Sequence, residues 1–152
     1  MARTEATTEL VRHLLGSYTL EAEIYQVLLG IAKEQGEILE ESGDVDRCAA
    51  LFGRKDELLR SIARIETEIE PLKQQWWGEQ VDLESRERLN GLLDCILATI
   101  EAIMAQEQRN EQLLLSRQEE VQAGLSHLRQ ASALGRVAGS DEPLPRFMDV
   151  SR

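Results

Sequence analysis

Apolar residues recur every third or fourth position through most of this chain, and the pattern is most regular in its second half. Leu89, Leu93, Ile96, Ile100 and Ile103 step four, three, four and three. The rungs continue through polar Glu107 and Asn110 and return to apolar at Leu114, Val121, Leu125 and Leu128. A mean step of 3.5 residues keeps every rung on one stripe of a helix, the geometry of a coiled-coil or bundle seam. No proline falls between Ser85 and Leu134. A helix over that span would be roughly 75 Å long, beyond the ordinary globular range.

Two further helices are predicted upstream. The first spans about residues 7–41, with Leu10, Val11, Leu14, Leu15, Tyr18, Ile24, Tyr25, Leu28, Ile31 and Ile38 spaced for one face. Ser42-Gly43-Asp44 then ends one helix and starts the next. Gly43 suits a left-handed C-terminal cap, and the Asp44 side chain suits the free amides of a new first turn. The second helix, about 45–77, carries Cys48, Phe52, Lys55, Leu58, Ile62, Ile65, Ile69, Leu72 and Trp76 on its stripe. Pro71 lacks an amide and its ring clashes with a carbonyl one turn back, so a kink or break is expected near Glu68 to Glu70. Asp82 or Ser85 should cap the third helix, about 85–134. Past Leu134, Gly135, Gly139, Ser140, Pro143 and Pro145 end the pattern, and 136–152 read as an extended or disordered tail.

The fold predicted is all-α: an antiparallel three-helix bundle or coiled coil over residues 1–135, with a long third helix and a flexible C-terminal tail. Short connections between long helices favour an up-down-up course. Pairing the second and third helices from their shared turn sets Val45 near Arg117, so residues 118–134 are expected to run beyond their intrachain partners. The ladder also loses its strict phase between Leu114 and Gln118.

Composition narrows the function. The chain has 152 residues and a net charge of −11, which disfavours nucleic acid and anionic membrane surfaces. No secretory signal is visible at the start, and no apolar run is expected to approach the length of a bilayer span. Cys48 and Cys95, taken as positions on apolar ladders, read as buried reduced thiols of a cytoplasmic protein. His13 and His127 form no evident pair, and no Cys-x-x-Cys, His-x-x-x-His or phosphate-cradling glycine loop occurs. Neither an enzyme nor a metal or cofactor site is expected.

Four features remain as candidates. Glu107 and Asn110 read as a polar rung that fixes register, with Lys55 of the second helix placed to reach Glu107. Trp76-Trp77 reads as a bundle plug, one ring buried and the other partly exposed. The stripe of Val121, Leu125, Leu128 and Leu134 is the sharpest: a long apolar face without an intrachain partner calls for an amphipathic helix from elsewhere or a second copy of the chain. The fourth is the tail's apolar cluster, Leu144, Phe147, Met148 and Val150.

Three stretches carry a resemblance to a known family. Gly43-Asp44-Val45 through Leu51 leads into Lys55-Asp56-Glu57-Leu58-Leu59 and Ile62, Ile65 and Glu66; Asn110-Glu111-Gln112-Leu113-Leu114 forms an Asn-x-x-Leu-Leu; Arg117, Val121, Leu125 and Leu128 form an amphipathic C-terminal helix. With these the chain resembles the FlgN-type flagellar type III export chaperones over about residues 8–134. The resemblance implies an ATP-independent cytoplasmic chaperone, without cofactor, that holds the terminal helices of hook-associated (hook-filament junction) proteins and prevents their premature assembly. It implies cargo binding by Asn110, Leu114, Arg117, Val121, Leu125 and Leu128.

The family's tyrosine after the last helix, associated with docking to the export-gate membrane protein, has no counterpart in Ala131 to Gly139. Phe147 is the candidate substitute. The alternative is a structural coiled-coil adaptor or homodimer that uses the same stripe for self-association, with no secretion role.

Overall fold

In the computed structural model the described residues are 2–134, with side chains described for 5–133. They form three helices: α1 (Ala2–Glu41), α2 (Val45–Gly78) and α3 (Leu83–Leu134). α1 begins five residues before the sequence expectation and α3 two residues before it. The reason at α3 is the cap: the Asp82 carboxylate accepts from the Ser85 amide at 3.1 Å and from the Ser85 hydroxyl at 2.7 Å. Those two bonds hold the Asp82 carboxyl below the usual carboxylate range. The first connection follows the chemistry of its residues. Gly43 has φ of 65°, and the amides of Ser42 and Gly43 both donate to the Ile38 carbonyl. Asp44 then accepts from the Arg47 amide at 3.2 Å to open α2. These contacts satisfy backbone groups that helix ends leave unpaired.

α2 does not break. Pro71 lies inside a continuous helix from Val45 to Gly78. The missing amide removes a single rung of the ladder, and side chains on both sides of it are anchored in the same apolar cluster. Ile65 and Ile69 precede Pro71 there, and Leu72 and Trp76 follow it. The tertiary contacts outweigh a local defect that would end an isolated helix.

The chain divides into two units, Met1–Leu115 and Ser116–Arg152, and α3 contributes to both. In the first unit the main core joins Leu10, Leu14, Leu15 and Tyr18 of α1 with Ile69 and Trp76 of α2, Val81 of the connection, and Leu89 and Ile96 of α3. A smaller core joins Ile38 and Leu39 to Cys48, with Leu51, Leu113 and Leu114 packed against it. The course is up-down-up. Gln26 of α1 donates to the Thr99 hydroxyl at 2.9 Å, and Asn110 reaches the Ala32 carbonyl at 2.8 Å, so α1 and α3 advance together. α2 runs against both, since Lys55 pairs with Glu107 while Trp76 meets the start of α3.

A polar layer forms around α1's second half. Lys55 pairs with Glu107 and also donates to Gln35 Oε1 at 3.2 Å, while its ammonium lies 5.1 Å from the Phe52 ring centre. Gln35 in turn donates to the Cys48 carbonyl at 3.0 Å. Asn110 is 6% exposed, and its Oδ1 accepts from Gln106 at 2.9 Å. This rung needs Gly36. A Cβ there would stand 2.7 Å from Asn110 Oδ1 and 2.7 Å from Gln106 Nε2, so any other residue would push the two linked amides aside.

Two sequence expectations need correction. Cys48 is buried, and burial raises its thiol pKa, but Cys95 is exposed. Cys95 precedes rung Ile96 by one residue, and one residue turns a helix by about 100°, which carries the thiol off the buried stripe. The second correction concerns α3, which is long and apolar enough to cross a membrane by length and composition. Much of that apolar character is exposed: Leu97 and Met104 lie off the ladder, and Leu93, a ladder rung, is itself 39% exposed. The seam itself is occupied within the first unit, where Leu89, Ile96, Thr99 and Asn110 are buried. The paired tryptophans divide as the sequence suggests, Trp76 buried and Trp77 83% exposed.

Candidate functional site

The residues marked out by sequence fall into both units. In the first, Asn110 is committed to the Ala32 carbonyl and Gln106, and half-buried Leu114 packs against the Ile38, Leu39 and Cys48 cluster. Asn110 is buried in the bundle, whereas Leu114 packs on it with part of its side chain and keeps the rest exposed.

In the second unit, the described chain is the helical stretch from Ser116 to Leu134. Val121, Leu125 and Leu128 are spaced four and three apart and therefore share a face. Val121 is 49% exposed and Leu128 64% exposed, with Leu125 half-buried between them. Arg117, one turn before Val121, lies 3.4 Å from the Glu120 carboxylate. Gly124 beside this stripe has open space around its missing Cβ. The result is an apolar strip edged by charge, with Glu119, Glu120 and Arg129 exposed on the same helix. Such a strip binds through apolar burial and is oriented by charge at its margins. The Leu134 side chain and Phe147 lie outside the described residues.

Sequence reasoning missed a polar cluster inside the first unit. Glu21 of α1 is 2% exposed, between the apolar Leu14 and Leu28 that stand seven residues to either side. It meets Glu66 and Lys73 of α2, and Lys73 donates to Glu66 Oε2 at 2.6 Å. The Lys73 ammonium is also 5.9 Å from the Tyr18 ring centre. Burial, then the neighbouring Glu66, push the Glu21 carboxyl up to about 8. The bond to Glu66 holds the Lys73 ammonium above the usual lysine range, and burial raises the Tyr18 hydroxyl. The signal was present in the sequence as a gap: the α1 stripe has no apolar residue where the repeat of Leu14 and Leu28 requires one. Among the described residues, no group of three or more His, Cys, Asp or Glu side chains is placed to hold a metal ion.

A helical bundle whose last helix carries a half-exposed apolar stripe has the architecture of a helical binding protein. The FlgN protein family model matches residues 10–137, most of the chain, and the chain belongs to that family. The FlgN family are non-enzymatic flagellar export chaperones for hook-associated proteins, acting in the cytoplasm. No curated protein matches the chain, and no solved structure does.

Proposed function

We propose that this chaperone holds the C-terminal helices of its hook-associated cargo on the stripe formed by Arg117, Val121, Leu125 and Leu128. The observation that carries the proposal is the exposure of Val121 and Leu128 on one helical face. An amphipathic cargo helix laid along that face would cover apolar surface that water now touches, at about 25 cal/mol per Å² before the costs of association. Asn110, spent on the Ala32 carbonyl, enters by seating α3 in its bundle, and half-buried Leu114 packs partly on the bundle and leaves its remaining surface to the cargo. The stretch of cargo bound this way would be unable to pair with its own polymer.

Calorimetry with peptides from the C-terminal helices of hook-filament junction proteins tests this directly. Binding to the wild-type chain that disappears in Leu125→Asp/Leu128→Asp is the expected result. A chain that sediments as a tight dimer and ignores the peptides would instead assign the stripe to self-association. Export-gate docking is assigned to Phe147 within Leu144-Pro145-Arg146-Phe147-Met148. Deleting residues 140–152 is expected to leave peptide binding intact and to lower cargo secretion; undiminished secretion would remove the tail from this role.

A further inference from the structure

A buried carboxylic acid among apolar side chains must have its oxygens satisfied or carry no charge. Glu21 sits in that position, on the face of α1 that packs against α2, flanked by Tyr18 and Tyr25. Among the described residues, its Oε1 is the buried side-chain oxygen for which no donor is present. Beside it on α2 stands another carboxyl, Glu66, which raises its pKa further. Two carboxylates are both acceptors, so a hydrogen bond between them requires that one carry a proton. Glu66 is the charged member, because Lys73 donates to it at 2.6 Å and lies 3.7 Å from Glu70 as well. The proton therefore belongs to Glu21.

We propose that Glu21 is a proton-held latch between α1 and α2: its neutral carboxyl donates to Glu66 and closes the pair, and loss of that proton loosens it. Loss of the proton leaves two carboxylates against the single Lys73 ammonium in a dry interface, with like charges close together. The charged groups that bear on Glu21 are Glu66 and Lys73, both on α2. From α1 the neighbours are the neutral hydroxyls of Tyr18 and Tyr25. α3 brings Leu92 and Ile96 to the same core, and no charged group of α3 acts on Glu21.

The direction of the pH dependence follows from the two states. Unfolded, Glu21 loses its proton near the ordinary value of 4.5; folded, it keeps it to about 8. Between those values the folded chain holds one more proton than the unfolded chain. Each pH unit gained across that window lowers the folding equilibrium constant by about tenfold through this group. Below the window and above it, the group has no such effect. This sign is opposite to that of an ion-paired surface carboxylate, which favours the fold at higher pH.

The test compares denaturant unfolding of the full chain and Glu21→Gln at pH 5 and pH 8. The amide keeps the shape and donates to Glu66 without titrating, and ionisable groups remote from Glu21 cancel in the comparison. The expected result is that the ratio of wild-type to variant folding constants falls by at least about a hundredfold from pH 5 to pH 8. A ratio that stays constant, or rises, overturns the proposal. Should the variant fail to fold, the side-chain carboxyl 13C resonance of Glu21 in the wild-type chain decides at pH 6.5. A protonated-acid shift supports the latch, and a carboxylate shift overturns it.

Discussion

Ile96 and Leu128 belong to one helix and one apolar ladder, yet Ile96 is buried in the main core and Leu128 is mostly in water. Nothing intrinsic to the two side chains separates them. Ile96 is joined by Leu14 and Tyr18 of α1 and Ile69 of α2, whereas Ser116 onward falls in a different unit of the chain. An apolar stripe records which face of a helix avoids water, and burial records what stands opposite. In a chaperone the difference is useful. The same repeat builds a packed core in one stretch and leaves a half-exposed face in the next, the face proposed above to hold cargo.

Substitutions in the two stretches should separate these roles. The largest effect is expected at the scaffold's centre, where Ile69 is fully buried. Ile69→Ala should lose about 2–5 kcal/mol of stability through the cavity it leaves, measured by urea unfolding. If that loss is under 1 kcal/mol, the first unit is not the packed core described above. Leu125→Asp/Leu128→Asp should do the reverse, weakening peptide binding by about a hundredfold while leaving the unfolding midpoint of the bundle nearly unchanged. A midpoint that collapses would make the stripe part of the scaffold.

A smaller effect, expected at Gly36, sharpens the comparison from the scaffold side. Gly36→Ala gains helix propensity, yet its Cβ would displace the Asn110 and Gln106 amides from α1. The net expectation is a loss of about 1–3 kcal/mol from disrupting a buried hydrogen-bonded rung. The exposed helical Gly124, where a Cβ meets nothing, supplies the control: Gly124→Ala should be neutral or slightly stabilising. Equal effects at the two glycines would deny Asn110 its role in setting register.

Much of this was legible in advance. The three helices, the Gly43-Asp44 junction and the Lys55–Glu107 pair follow from spacing and local chemistry, because each depends on residues within a few turns or on a register the ladders set. Three features were not legible. Pro71 was read by its local cost, and only the packing of Ile69 and Trp76 on either side shows why α2 continues. Cys95 was read by its apolar neighbours and not by its angle around the helix. Glu21 showed in the sequence only as a gap in the α1 stripe, because a lone carboxylate reads as solvated until a second helix is brought against it. For the proposed binding face, the sequence supplied the residues of the stripe, but not that the Asn110 amide is spent on the Ala32 carbonyl or that Leu114 packs in part on the Ile38 cluster.

The order of apolar and polar residues determined by itself that this chain forms three helices, where the turns between them fall, and broadly which face of each avoids water. These are local matters, fixed by backbone geometry, caps and the 3.6-residue period. Only the tertiary structure decided which parts of those faces are filled, which polar rungs are satisfied, and which carboxyl is held away from water beside another. Those outcomes depend on residues dozens of positions apart, such as Glu21 and Glu66 or Ala32 and Asn110, whose meeting no local pattern encodes.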